Sequence, residues 1–178
     1  LKNKLILAPM EDVSSLGFRL LCRKYGAAMA YTEQTSAIAL KNESEKSISR
    51  IKTNSKDKPV GLQLFGRNEK VLVEVAEKFG KKFDVIDLNF GCPSKKIVDM
   101  GYGSALLKEK SKIKSIIGFM VDNLDKPVTV KMRSGFKKVE ALQLVKVMEK
   151  AGVSAIAIHA RTREQGYSGK ADWGVIKE

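Results

Sequence analysis

The chain has 178 residues, enough for one sizeable core, and its 43% hydrophobic and 30% charged residues make an ordinary soluble globular composition. No apolar run approaches the roughly 20 residues needed to span a bilayer. Lys plus Arg outnumber Asp plus Glu by 33 to 20, a formal charge of +13, which attracts polyanions at long range but equally describes a lysine-rich surface with no partner.

In chain order, LKNKLILAPMEDV puts only a short apolar run before a proline and two acids, which is no signal peptide and sets the expectation of a cytoplasmic protein. The chain opens on Leu1, not Met, so a piece of a longer protein is expected. A strand is predicted at 5–8. A helix over 15–25 follows, with Phe18, Leu21, Cys22 and Tyr25 on one face. A second strand is predicted at 27–31. The stretch 35–56 is irregular and reads as a helix or a lid-like insertion. Within 41–58, KNESEKSISRIKTNSKDK alternates bases with acids and is no basic tail.

Strands at 60–64 and 84–88 bracket a helix over 69–79 that aligns Val71, Leu72, Val75, Ala76 and Phe79. The segment 87–107, DLNFGCPSKKIVDMGYGSALL, then turns from an apolar run into glycines, a proline and a cysteine. A helix over 111–124 carries Ile113, Ile116, Ile117, Met120, Val121 and Leu124. A strand at 127–131 precedes a helix over 139–150 with Leu142, Val145, Val147 and Met148, stopped at Gly152. A last strand at 154–158 leads into a polar loop and ADWGVIKE, which reads as the opening of a helix. The strands are nearly continuous apolar runs, as for strands buried on both faces.

Strand and helix alternate six times, which implies α/β architecture with a parallel sheet and helical crossovers. An open doubly wound sheet and an unfinished (β/α)8 TIM barrel both fit. No G-x-G-x-x-G follows the first strand, as a dinucleotide-binding sheet would want. Polar residues instead mark nearly every strand tip: Pro9-Met10, Glu33, Gln63, Asn89 through Cys92, Lys131 with Arg133, and His159 with Arg161. A barrel gathers all such tips at one mouth, so the barrel is expected, with about six of its eight units present.

Four of these residues suggest chemistry. Gln63 both donates and accepts, which suits the edge of a planar heterocycle. Lys131 closes an otherwise apolar strand with a charge that can offset negative charge on a bound ring; the alternative is a lysine reaching solvent. His159 is the sole histidine and opens onto a polar loop. Cys92 stands between Gly91 and Pro93, in a turn stiffened by proline and freed by glycine, facing the mouth. The other cysteine, Cys22, reads as a buried helix-face residue. Spacing and a single histidine argue against a metal site, and a reducing compartment against a disulfide. A nucleophile and a proton donor remain equally open for Cys92.

LILAPMEDVSSLGFRLLCRKYGA, GLQLFG, DLNFGCPSKKIVDMGYGSALL, VTVKMRSGF and IHARTREQGYSGKADW together resemble the tRNA dihydrouridine synthases, in the family's order and from the first strand to the last residue. The NFGCPSKK…GYGSALL segment is the specific one. The resemblance implies FMN-dependent reduction of a tRNA uridine, with NADPH or NADH as reductant and Cys92 as general acid at C5 of the uracil. It further implies that Pro9, Met10 and Glu11 line the flavin, and that Gln63, Lys131 and His159 contact its ring or attached chain. Asn89 would face the uracil, and Arg161 and Lys170 the target nucleotide or its phosphates. Residues 1–178 would then be an incomplete FMN-binding TIM-barrel catalytic domain. The family's FMN-phosphate motifs and helical tRNA-binding domain would lie beyond residue 178. tRNA is the implied partner; neither a membrane nor a protein partner is indicated.

Two rivals stand beside this reading. Another FMN barrel, such as a dihydroorotate dehydrogenase, would also handle a pyrimidine ring, but GCPSKK and HARTREQGYSGKADW argue against it. A basic RNA-binding module without chemistry would explain the charge but not the constrained cysteine.

Overall fold

The computed structural model describes residues 3–177. Its first elements are β1 (Ile6–Leu7), α1 (Leu16–Lys24), β2 (Met29–Tyr31), β3 (Thr35–Ser36), α2 (Ala37–Lys41), α3 (Glu45–Arg50) and β4 (Val60–Phe65). Then come α4 (Glu69–Phe79), β5 (Val85–Phe90), α5 (Lys95–Asp99), α6 (Lys110–Asn123), β6 (Val128–Arg133), α7 (Ala141–Lys150), β7 (Ala155–His159) and α8 (Gly174–Lys177). Every strand pair is parallel, and the sheet runs β1-β2-β4-β5-β6-β7 with β3 also paired to β4. Apart from that short side strand, the order follows the chain and never reverses. A doubly wound sheet reverses at its switch point, so this is part of a (β/α)8 barrel, as expected. Among the described residues no helix is long and apolar enough to cross a membrane.

The three long helices form where the apolar spacing places them. Asn68 caps α4 by accepting from the Val71 N–H (3.2 Å). Gly152 ends α7, its N–H reaching back to the Glu149 carbonyl (2.9 Å). The irregular 35–56 region resolves into β3, α2 and α3, and α5 is a short helix that the apolar pattern does not announce.

The central strands are not apolar on both faces. Leu62, Leu64, Ile86, Leu88, Val130 and Met132 join Leu72, Ile113, Ile116, Met120 and Leu144 in one core between sheet and helices. The alternate positions of the same strands carry Gln63, Asp87, Asn89, Thr129, Lys131 and Arg133. The register sets Gln63 beside Asp87 and Asp87 beside Thr129, then Asn89 beside Lys131 and Arg133 beside His159. With a side-chain period of two, the barrel interior is therefore a polar layer, not a second apolar one.

Helix α1 also departs from the expected stripe. Leu21 is 50% exposed and Tyr25 80%, Cys22 is only half-buried, and the fully buried residue is Arg19. The guanidinium is drawn inward by Asp57, which accepts from its Nε (2.9 Å) and Nη2 (2.7 Å), while the carbonyls of Ser14 and Lys52 take further N–H groups. Thr53 donates to the same carboxylate (3.0 Å). This buried pair ties α1 to the segment leading into β4. Breaking one partner of such a pair leaves a bare buried charge. Asp57→Ala is expected to cost about 3–5 kcal/mol in urea unfolding, whereas Glu43→Ala, which breaks the solvent-exposed pair with Lys78, is expected to leave the unfolding midpoint nearly unchanged.

Candidate active site

Strand tips, and the loops that follow them, enclose a cavity of about 490 Å³ lined by Pro9, Met10, Glu11, Gln34, Cys92, Lys131 and His159, among others. Its size is in the range of small-molecule sites. Asn89, Arg133 and Tyr167 complete its walls. Cys92, only 8% exposed, lines the cavity and also packs with Phe65 and Ile97 in a small apolar cluster.

The turn that holds Cys92 is built around Asn89. The Asn89 Oδ1 accepts the backbone N–H of Gly91 (3.1 Å) and of Cys92 (2.9 Å). The Cys92 carbonyl in turn accepts from the Ser104 hydroxyl (2.8 Å) and backbone N–H (3.2 Å). Gly91 is not in a left-handed conformation, as its place beside Cys92 had suggested. Its role is close approach: a Cβ there would lie 3.3 Å from the Met132 carbonyl carbon. Gly101 (φ +75°) and Gly103 (φ +57°) are the left-handed glycines of this segment, and at Gly103 a Cβ would lie 3.0 Å from the Cys92 Cβ.

From Asn89 a hydrogen-bonded chain spreads through the polar layer. Its Nδ2 donates to Gln34 Oε1 (2.9 Å) and Gln63 Oε1 (3.0 Å). Gln63 Nε2 donates to Asp87 (2.6 Å), which also accepts from the Thr129 hydroxyl (2.6 Å). Gln34 Nε2 donates to Glu11 (2.8 Å) and to the Cys92 sulfur (3.4 Å).

Charge in the layer is uneven. Burial pushes the Asp87 carboxyl up to about 6, although Thr129, Gln63 and Lys131 all favour its charged form. Lys131 has no hydrogen-bond or ion-pair partner among the described residues. Burial lowers its affinity for a proton, and Asp87 opposes that shift. His159 is pushed down to about 4 by burial and by Arg133, Lys131 and Arg161, so its ring is neutral near pH 7. Its Nε2 lies 3.2 Å from Arg161 Nη1. Arg133 anchors the last loop, donating to the carbonyls of Thr162 (3.0 Å) and Gly166 (2.7 Å), with its guanidinium carbon 5.4 Å from the centre of the Tyr167 ring.

Of the residues singled out in the sequence, Pro9, Met10, Glu11, Asn89, Cys92, Lys131 and His159 meet at the cavity. Gln63 does not line it; the side chain is 1% exposed and committed to Asp87 and Asn89 one layer below. Arg161 reaches the cavity only through His159, and Lys170 is exposed outside it. Arg133, marked in the sequence only as a strand-tip neighbour of Lys131, joins the site, and sequence reasoning passed over Gln34 and Tyr167. Gln34 had a signal, because it follows Glu33 at the tip of the second strand.

A family model described as dihydrouridine synthase matches residues 6–178. Similar proteins include tRNA-dihydrouridine synthase B of Pseudomonas aeruginosa, 38% identical over 99% of this chain and 54% of the relative. A probable tRNA-dihydrouridine synthase of Rickettsia conorii is 40% identical over 99% of this chain and 55% of the relative. The chain thus spans about half the length of these relatives. Among solved structures, a phosphonopyruvate hydrolase complex with oxalate and magnesium superposes with a TM-score of 0.60 at 12% identity, over 99% of this chain and 64% of the other. The carboxyl transferase domain of Rhizobium etli pyruvate carboxylase does so with a TM-score of 0.59 at 11% identity, over 97% of this chain and 29% of the other. Both likenesses are of fold alone.

The buried Asp87 makes a pH prediction. Its folded pKa is raised above the ordinary 3.8 to about 6, so the folded state binds the proton more tightly than the unfolded state. The carboxyl's contribution to stability is then fully present below 3.8 and is lost as pH rises to about 6. Relative to Asp87→Asn, the wild type is expected to lose roughly 3 kcal/mol of unfolding free energy over that window. Denaturant titrations at several pH values check this, and parallel curves for the two proteins would refute it.

Proposed function

The chain belongs to the dihydrouridine synthase family, and from that premise we propose that the full-length protein reduces specific uridines of tRNA to 5,6-dihydrouridine, with FMN as cofactor and NADPH or NADH as reductant. The observation that carries the reading is Cys92: a thiol in a turn fixed at both ends, facing a cavity of flavin-compatible size with a half-buried lysine on its wall. A structural cysteine needs neither the turn nor the cavity.

The donor set fits the cofactor. Lys131 lines the cavity with its hydrogen-bonding capacity unspent, and a ring edge that gains negative charge would complete it. Pro9, Met10 and Glu11 form one wall, and His159, held neutral, forms another. Gln63 acts on the ring from below, by orienting Asn89 and Asp87. The FMN, when bound, supplies the hydride that reaches C6 of the uracil. Cys92 supplies the proton to C5: its S–H bond breaks as the C–H bond forms, and the electron pair stays on sulfur. The thiolate is then reprotonated from solvent.

Asn89 faces the pyrimidine from the cavity wall. Arg161 and Lys170 stand toward the target nucleotide and its phosphates. The charge of +13 supports a polyanionic substrate, and phosphate attraction supplies affinity while the cavity supplies base choice. A uridine within folded tRNA is expected to be flipped out of its stack to enter. Residues 1–178 act as the larger part of the catalytic barrel. The remaining length of the protein would bring the flavin phosphate site and a helical tRNA-binding domain.

The test uses the full-length protein, read first by its visible absorption and then by dihydrouridine formation in unmodified tRNA with NADPH. A yellow protein whose Cys92→Ala variant keeps its flavin but loses about 100-fold or more in rate is the expected result. A colourless protein that still binds tRNA would sink the enzyme reading, and activity on dihydroorotate instead would place it among other flavin barrels.

A further inference from the structure

We propose that Gln34 is a positioning residue for the Cys92 thiol, aiming its S–H into the cavity and stabilising the sulfur after the proton has left. This rests on the reading of Cys92 as proton donor. The orientation of the Gln34 amide follows from the backbone. Two N–H groups, of Gly91 and Cys92, claim the Asn89 oxygen, so the Asn89 nitrogen must face outward. That nitrogen donates to Gln34 and to Gln63, so the Gln34 oxygen must face Asn89. The Gln34 nitrogen is left with two hydrogens and two acceptors, Glu11 Oε2 at 2.8 Å and the Cys92 sulfur at 3.4 Å. Both of its N–H hydrogens are used and its oxygen accepts from Asn89, at a residue only 6% exposed.

The consequence for the thiol is directional. An N–H pointing at sulfur occupies one lone pair and excludes the S–H from that side, and the space left to the S–H is the cavity that Cys92 lines. During transfer the S–H bond breaks, the new C5–H bond uses the electron pair left on the uracil by hydride addition, and sulfur keeps the S–H pair. A hydrogen bond to a charged acceptor is stronger than one to a neutral acceptor. The Gln34 N–H therefore contributes more after the proton has moved than before, which favours the transfer. Lys131 and Arg133, both within electrostatic reach of the sulfur, act in the same direction.

The experiment reads the sulfur directly, in the full-length flavin-loaded protein carrying Cys22→Ser, which leaves Cys92 as the thiol contributed by these residues. The alkylation rate of Cys92 by iodoacetamide, located by peptide mass mapping, is measured at neutral pH and divided by its limiting rate in alkali. Access to the sulfur changes both rates together, whereas loss of the N–H donor changes only their ratio. Gln34→Met is expected to lower the ratio about tenfold. Gln34→Glu keeps the side-chain size and the acceptor toward Asn89, and is expected to lower it further by facing the sulfur with a carboxylate; it is the variant to read where Gln34→Met unfolds. An unchanged ratio in a variant with wild-type flavin content and melting temperature overturns the proposal, even if the wild type reduces tRNA. A lowered ratio supports it, even if the wild type does not, so the two readings fail separately.

Discussion

The site depends on one side chain having no freedom. Asn89 sits at the end of β5, where the chain turns, and its oxygen is claimed by the two backbone N–H groups of that turn. The carboxamide cannot flip without leaving both unpaired, at a cost of a few kcal/mol in a buried place. Its nitrogen therefore points one way, and so do Gln34, Gln63, the Asp87 carboxylate and the Thr129 hydroxyl. A local backbone requirement is thereby propagated across β4, β5 and β6 as a fixed pattern of donors and acceptors. Such a network is stable because every amide in it is satisfied, and a partly satisfied one would be worse than an apolar layer.

The polar layer also explains why the sheet can afford an unpaired lysine. The apolar faces of β4, β5 and β6 already supply the core against α4, α6 and α7, so the opposite face is free to be specialised. Asp87 lies beneath Lys131 and favours its charged form, while burial, with Arg133, Lys131 and Arg161, keeps His159 neutral near pH 7. A lysine and a neutral imidazole thus occupy the same wall, their proton affinities set by burial and by neighbours. Burial of the Asp87 carboxyl opposes its ionisation, as burial of Lys131 opposes protonation there.

What the sequence disclosed follows from range. Helices α4, α6 and α7 declared themselves by apolar spacing, and β4 through β7 by short β-branched runs, since each pattern lies within one element. The Cys92 turn was visible because Gly91, Pro93 and Gly103 are close in sequence, although the need for Gly91 proved to be contact with β6 and not its own torsion angles. Arg19 was hidden because its partner Asp57 lies 38 positions away and an arginine on a helix ordinarily reads as solvated. Gln34 was hidden for the same reason: its partners Asn89 and Cys92 lie 55 and 58 positions on. The inward polar face was misread because alternating Leu, Ile and Val in β4 through β6 dominate the local hydropathy, while Gln63, Asp87 and Thr129 reveal their purpose only when the register aligns them.

Rigidity and reach are divided between two sets of parts. Backbone bonds from Asn89 and Ser104 hold Cys92 at its amide and carbonyl, and these belong to β5 and its own loop. The thiol's surroundings come from elsewhere: Glu11 after β1, Gln34 after β2, Lys131 and Arg133 on β6, and His159 on β7. A substitution in the turn moves the sulfur; a substitution in the surroundings leaves it in place and changes what it meets. The same thiol could serve as nucleophile or acid in another setting, so its chemistry is decided by those distant residues. That is why the local motif singles out the cysteine, while only the assembled sheet supplies the residues around its thiol.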